Sequence, residues 1–466
     1  MKIKELVKSG LLYTIGNIFI QGIAFLTLPI YTRMMSQADF GRYSLFVSWV
    51  NIIGLVIGLQ TSGSISIAKV KFEEKYEEYS AHALSISNIF SAIVLIIVFF
   101  LRNKISLLIG FSENIVLILF LQAYVTYLYT YLGIYYIQKQ KNVVQLFLSI
   151  STVLSTVILS LILIQFFDDD FKARVFGQFF PTLILGIFSL FIIYSRGKIF
   201  IKWNLIKYTL SLSLPLIFHQ LGHQILNQLD RIMIGKLLTV KDVAQYSFGY
   251  SLGMVIQIVL QSLNTAWVPW YFEAKKKNLK NLSNIINTYI NLALFLTLGY
   301  LTIFPELSYI MGGESYSESV NFIPLIILSY LFSFLYTFPV NVQFFHGNTK
   351  FVPVGTIFAG GLNAILNYFF IINLGIFGAA VATIISYFCL LLLHHYISRK
   401  LYKYEEVTIG TFFKISVIGI LYSGLMSYFI ENIIIRYIIG FIILIIYFIL
   451  YKEQLVKVLT NIKGKK

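Results

Sequence analysis

Long apolar runs alternate with short polar connections from one end of the chain to the other. A helix crosses a bilayer with roughly 20 apolar residues. Runs near that length fall at 10–32, 43–66, 81–101, 115–137, 143–166, 175–195, 208–229, 243–267, 284–304, 319–343, 352–373, 376–396, 409–430 and 432–451. The pattern predicts fourteen transmembrane helices. The charge-free block 351–398 is too long for one span, and the INLG sequence at 372–375 is a turn signal that divides it. The run at 409–430 is interrupted near its start by Lys414. The first run has no small-residue cleavage site, so it reads as a retained span rather than a signal peptide. The connections are short and leave no room for a large soluble domain.

Composition fixes the solvent. The chain is 58% hydrophobic and 12% charged, with a mean hydropathy of +0.80, whereas a soluble domain carries about 25% charge. No water-soluble fold could cover this much apolar surface. The single cysteine, Cys389, excludes an intrachain disulfide. The net charge of +16 is unevenly placed. With the N-terminus in the cytoplasm, 26 of the 36 lysines and arginines fall in cytoplasmic segments, the KKK run at 275–277 among them. This bias predicts an even number of spans with both termini inside. The positive charge thus belongs to topology and to anionic lipid heads, and it does not argue for nucleic acid. Abundant Ile, Lys, Tyr, Phe and Asn fit an AT-rich bacterial genome.

One segment recurs. TRMMSQADFGRYSL at 32–45 returns as GKLLTVKDVAQYSF at 235–248, an offset of 203 residues. Arg33 matches Lys236, Ser36 matches Thr239, Asp39 matches Asp242, and Tyr43-Ser44 matches Tyr246-Ser247. Each copy lies between two apolar runs. The repeat points to two homologous halves, a common build of transporters.

The chain carries no GxSxG, Walker or HExxH motif, so it is read as a non-enzyme without cofactor or metal. His394 and His395 are neighbours and point to different helix faces, which fits interface histidines better than metal ligands. The acidic run Asp168, Asp169 and Asp170 is read as a solvated outer loop. The seventh span, LPLIFHQLGHQILNQLDRIMIGK at 214–236, is the most polar. His219 and His223 share a face. Gln220, Gln224 and Asn227 form a second row, and Asp230 and Arg231 follow. Polar groups inside a span are costly in lipid, so this face is expected to line a cavity or to bond neighbouring helices. Asn17 and Gln21 repeat the theme in the first span, which ends in Arg33. The second span contributes Ser44, Ser48, Asn51 and Gln60, and the eighth contributes Gln257, Gln261, Ser262 and Asn264. Trp267 and Trp270 fit an aromatic belt. Arg33 and Lys236 occupy equivalent outer ends, suited either to an anionic ligand or to simple snorkelling.

Four segments carry a resemblance. They are LPIYTRMMSQADFGRYSL (28–45), YYIQKQKNVVQL (135–146), LNTAWVPWYFE (263–273) and FHGNTKFVPVGTIFAGGLNAILNYFFIINLGIFGAAVATIISY (345–387). With them the chain resembles the oligosaccharide flippases (Wzx-type, polysaccharide biosynthesis) of the multidrug/oligosaccharidyl-lipid/polysaccharide exporter superfamily. The resemblance extends across spans 1–12. It implies an all-α integral membrane protein with two pseudo-symmetric six-helix lobes, 1–200 and 201–400, in a V around a central cavity. Spans 13–14 and a basic cytoplasmic tail would occupy 401–466. The implied activity moves an undecaprenyl-diphosphate-linked oligosaccharide from the inner to the outer leaflet by alternating access. The implied setting is a bacterial cytoplasmic membrane, as a monomer, with a polysaccharide polymerase complex as candidate partner. The resemblance carries pyrophosphate binding to Arg33 and, through the repeat, to Lys236. Arg231, His219 and His223 join them from the reading of span 7. Asn17, Gln21, Asn51, Gln220, Gln224, Asn227 and Gln261 are the candidate polar lining. Asp39 and Asp230 are the candidate ion-coupling acids, although Asp39 is also placed to cap a helix. A lipid II flippase and a multidrug antiporter of the same superfamily are the alternatives. A polymerase or acyltransferase is a third class, and the large outer loop typical of such polymerases is missing.

Overall fold

The computed structural model describes residues 3–198 and 201–463. Among them the chain is helical throughout, with short connections. The first seven helices are α1 (Ile3–Met34), α2 (Gln37–Ile57), α3 (Thr61–Lys71), α4 (Tyr76–Ile109), α5 (Glu113–Gln138), α6 (Asn142–Phe166) and α7 (Asp170–Gly197). Then come α8 (Trp203–Leu237), α9 (Val240–Lys276), α10 (Leu282–Gly312), a short 3-10 turn at Glu314–Asn321, α11 (Ile323–Leu335) and α12 (Thr337–Phe345). Last are α13 (Phe351–Tyr402), α14 (Ile409–Tyr428) and α15 (Ile433–Lys463). With lipid as the solvent, every backbone polar group must be satisfied within the chain, and helices do this locally.

Eleven of the described helical segments are long and apolar enough to cross a membrane. One of them is the 52-residue α13, which turns at Gly375 (φ 61°, ψ −146°) into two consecutive spans. The turn falls in the INLG signal, and only glycine takes this conformation without strain. Close packing completes the corner. A Cβ on Gly378 would lie 2.1 Å from the Phe370 carbonyl oxygen, and Ala379, Ala380 and Ala382 are fully buried. Counted as two, α13 brings the described candidates to twelve, and α1 and α8, 32 and 35 residues long, are the two further helices of the fourteen expected.

The 43–66 run was expected to form one continuous span, and here the structure differs. The helix stops at Ile57, and Leu59 and Gln60 take left-handed dihedrals (φ 50° and 49°) before α3 begins at Thr61. The cause is local. Tyr127 of α5 presses against Gly58, where a Cβ would sit 2.0 Å from the ring. The Tyr127 hydroxyl bonds both Thr61 and Ser87 at 2.6 Å. Ser91 donates to the freed Ile57 carbonyl at 2.7 Å. Buried side chains thus replace the helical bonds lost at the break, as an apolar medium requires.

The chain packs as two compact units, Met1–Gly235 and Lys236–Lys466. The first unit is centred on α5, whose Val116, Leu119, Ala123, Tyr131 and Leu132 are fully buried. In the second, α11 is buried on nearly every face. A buried ion pair between Arg436 of α15 and Glu306 of α10 clasps one end of this unit, helped by a hydrogen bond from Tyr437 to Glu306 at 3.2 Å.

Candidate functional site

The repeated segment is, first, a pair of helix boundaries. Arg33 is exposed in the last turn of α1, and Lys236 is exposed in the last turn of α8. Cations there complement the helix dipole. Ser36 is the N-cap of α2. Its hydroxyl accepts from the Asp39 backbone N–H at 3.1 Å and donates to the Asp39 carboxylate at 2.8 Å. Thr239 is the N-cap of α9 and forms a full capping box with Asp242. The Thr239 backbone N–H donates to the Asp242 carboxylate at 2.9 Å, and the Asp242 N–H donates to the Thr239 hydroxyl at 3.3 Å. The hydroxyl–x–x–acid pattern shared by the two copies is therefore start-of-helix chemistry. Asp39 also holds Arg42 at 3.2 Å.

The most polar span, α8, packs within the first unit. Thr209 donates to the Tyr79 hydroxyl at 3.0 Å, Leu216 covers Gly63, and Leu45 fills the space over Gly235. A polar strip runs up its second half. Asn227 donates through its side-chain amide to the His223 carbonyl at 2.8 Å and lies 3.2 Å from the His223 ring. Arg231 donates to the Asn227 carbonyl at 2.5 Å and stands 3.4 Å from the Asp230 carboxylate. Asp230 is wholly buried, and Arg231 is 9% exposed. Two charges buried away from water carry a desolvation cost of several kcal/mol each, which their mutual attraction and hydrogen bonds must offset.

The other expected lining residues are scattered. Gln21, Asn51, Gln220 and Gln224 are half-buried, while His223 and Gln261 are exposed. The side chains of Asn17 and His219 lie outside the described residues. The bond that ties α8 to α2 is made by a residue not anticipated from the sequence. Gln228 accepts from Ser48 at 3.0 Å. Gln228 continues the spacing of Gln220 and Gln224, and that periodicity was the available signal.

A second cluster was also missed. Arg174, expected in the connection before span 6, instead lies in the second turn of α7. Its guanidinium sits 3.2 Å from the Tyr31 ring centroid and 4.8 Å from that of Tyr43. Tyr43 donates to Gln178, one turn further along α7, at 2.5 Å. Arg42 lies 4.4 Å from the Phe171 ring centroid. One end of α1, α2 and α7 is thus closed by cation–π contacts. Asp169, read as part of a solvated loop, caps α7 by accepting from the Lys172 N–H at 3.0 Å. Partial burial alone would raise this carboxyl. The Lys172 backbone bond and ammonium outweigh burial and hold it below its usual value.

The paired histidines are both buried. His394 bonds Gln343 at 3.1 Å, while His395 meets the rings of Tyr404 and Phe412 edge-on. Among the described residues no cluster could hold a metal ion.

The polysaccharide biosynthesis protein family model matches residues 6–275, and the MatE model matches 215–369. A Lsg locus protein of Haemophilus influenzae is 23% identical over 364 residues, covering 75% of this chain and 87% of its own length. An uncharacterized membrane protein of the same organism is 23% identical over 362 residues, covering 74% and 85%. Among solved structures, the lipid II flippase MurJ in an inward closed conformation superposes with a TM-score of 0.71 at 17% identity, covering 95% of this chain and 99% of its own. A MATE protein in complex with MaL6 superposes with a TM-score of 0.58 at 12% identity, covering 85% and 95%. The two structural neighbours share the fold of this chain. The family match covers more than half the sequence, and the chain belongs to the polysaccharide biosynthesis (Wzx-type oligosaccharide flippase) family of the multidrug/oligosaccharidyl-lipid/polysaccharide exporter superfamily.

Proposed function

We propose that this multi-pass membrane protein moves an undecaprenyl-diphosphate-linked oligosaccharide from the cytoplasmic to the outer leaflet by alternating access, for assembly of a surface polysaccharide. The observation that carries the reading is the cation of α8. Arg231 is held, nearly buried, in the second half of α8 by Asp230 and the Asn227 carbonyl. A buried guanidinium is costly to keep and is suited to a phosphate diester or pyrophosphate, which it can bind through two parallel hydrogen bonds. Arg33 and Lys236, at the last turns of α1 and α8, would each meet the anionic headgroup nearer the surface. His219 and His223 would assist, with Asn17, Gln21, Asn51, Gln220, Gln224, Asn227 and Gln261 facing the glycan. Asp39 is occupied as a cap, so Asp230 is the acid we assign to ion coupling. The two homologous halves would be 1–200 and 201–400, followed by 401–466, with both termini in the cytoplasm of a bacterium. The protein would do no covalent chemistry and would act as a monomer, alone or beside a polymerase complex.

A deletion strain tests this reading. It should accumulate the lipid-linked oligosaccharide at the inner leaflet, and the wild-type gene should clear it. Arg33→Ala combined with Lys236→Ala should reach the membrane yet fail to restore surface polysaccharide. Normal polysaccharide in that strain would remove both residues from the site.

One observation favours a second reading. Asp230 is a fully buried acid in α8, and organic-cation export would use such an acid. Sensitivity to cationic drugs in the deletion strain, without glycolipid accumulation, would select that alternative.

A further inference from the structure

The corner between α13 and α14 holds polar groups that neither helix packing nor the transport reading uses. His395 is 3% exposed, and both of its ring nitrogens lack a hydrogen-bond partner in the protein. The Tyr404 hydroxyl, 1% exposed, also lacks one. Both residues line a cavity of about 480 Å³, together with Arg399, Glu405, Thr408 and Ile409. Arg399 lies one turn beyond His395, on the same face of α13. Thr408 is the N-cap of α14, with its hydroxyl turned to the Thr411 N–H at 3.3 Å. The first backbone N–H groups of α14, those of Ile409 and Gly410, have no intrahelical acceptor, and they carry the positive end of the helix dipole.

The loop that closes the cavity is tied down. Lys275 pairs with Glu406 at 2.5 Å, and Ser283 donates to the Glu406 carbonyl at 2.6 Å. Burial, reinforced by Tyr271 and Glu406, keeps the Tyr404 phenol well above its ordinary pKa, so its hydroxyl stays a donor. The donors available here are therefore an exposed guanidinium, a buried imidazole, a buried phenol and a helix N-terminus. The opposing groups are the exposed Glu405 at the rim and the Glu406 carboxylate, which Lys275 pairs.

We propose that this corner binds the phosphate of an anionic ligand, either a phospholipid headgroup or free phosphate. Such an oxyanion supplies the acceptors that His395 and Tyr404 lack, and helix N-termini with arginine form a standard phosphate site. The corner joins two helices long and apolar enough to cross a membrane, and the exposed Arg399 and Glu405 at its rim leave it open to either source. The site stands apart from the transport reading, and either can fail alone.

The test uses the purified full-length protein in mild detergent. Calorimetric titration with inorganic phosphate, at constant ionic strength, should show saturable binding. Native mass spectrometry with equal phosphatidylglycerol and phosphatidylcholine should show preferential retention of the former. Arg399→Gln, at an exposed position, should weaken binding about tenfold or more, the worth of one charge-assisted hydrogen bond. His395→Phe should weaken it as well, and Glu405→Gln should strengthen it. Lys400→Gln, at the exposed neighbouring position, should leave it unchanged. Phosphate binding that phosphatidylglycerol does not displace would assign the free anion. Lipid retention that phosphate does not compete away would assign the headgroup. The proposal is overturned if the wild type binds neither probe, or if Arg399→Gln and Lys400→Gln lose binding equally.

Discussion

The ion pair between Arg436 and Glu306 allows a sharp energetic prediction, because its two partners are unequally buried. The Arg436 side chain is 0% exposed and the Glu306 side chain 29%. Arg436 also donates to the Ile430 carbonyl at 2.6 Å, and Glu306 keeps the Tyr437 hydroxyl at 3.2 Å. Glu306→Ala leaves a buried guanidinium with one carbonyl and no counter-charge. Breaking a buried pair this way costs about 3–5 kcal/mol. Arg436→Met removes the charge that cannot reach water, while Glu306 can turn to solvent and retain Tyr437. That loss should be about 1–2 kcal/mol, the range for a hydrogen bond to a charged group. The double variant should resemble Arg436→Met, recovering about 2–3 kcal/mol relative to Glu306→Ala. At about 2–4 °C per kcal/mol for a unit of this size, Glu306→Ala should lower the melting temperature by roughly 6–20 °C. Thermal unfolding of the four proteins in one detergent, followed by tryptophan fluorescence and size-exclusion recovery, measures the cycle. Equal losses in the two single variants, or a double variant as unstable as Glu306→Ala, would refute the argument from unequal burial.

Three further outcomes follow from the structure. Ser36→Ala and Thr239→Ala should each cost about 1 kcal/mol, the usual worth of an N-cap, whereas Arg33→Ala and Lys236→Ala, at exposed positions, should stay within about 0.5 kcal/mol; melting temperatures separate the two groups. Gly58→Ala should displace Tyr127 and cost about 1–3 kcal/mol by overpacking, and Tyr127→Phe in the same background should not add its full effect if the two share one contact. Because Asp169 is held below its usual value, its contribution is present at neutral pH and above, and it is lost as the pH falls through the lowered value. Amide exchange at Lys172 should therefore lose protection only at acid pH, and it should show no such step in Asp169→Asn.

Much of the fold could be read from the sequence, because lipid imposes a length and a polarity on every span. The division of 351–398 was legible because INLG supplies a glycine, Gly375, which takes φ 61° with ψ −146° at the turn without strain. The break at 58–60 was not. Nothing in a local apolar pattern reveals that Tyr127, nearly 70 residues away, needs the space above Gly58. Arg174 was misplaced for a related reason. A charge marks a span boundary in a hydropathy reading, yet this guanidinium finds two tyrosine faces and enters the helix. The ladder of His223, Asn227 and Arg231 could be read as helical spacing, while its bonding partners, backbone carbonyls of α8 itself, could not.

The repeat shows why sequence recurrence and function need separate arguments. Its hydroxyl and acid are explained by capping, which any helix starting at that place would reward. Its cation is explained in part by the preceding helix C-terminus. Once those costs and gains are assigned, the repeat retains little that demands a ligand. The pair in α8 is different. Asp230 and Arg231 terminate no helix, and their burial carries a desolvation cost that their partners must offset. A buried cation and acid side by side are suited to work on a charged ligand or an ion, and the second half of α8 therefore joins Arg33 and Lys236 as a place to search for transport chemistry.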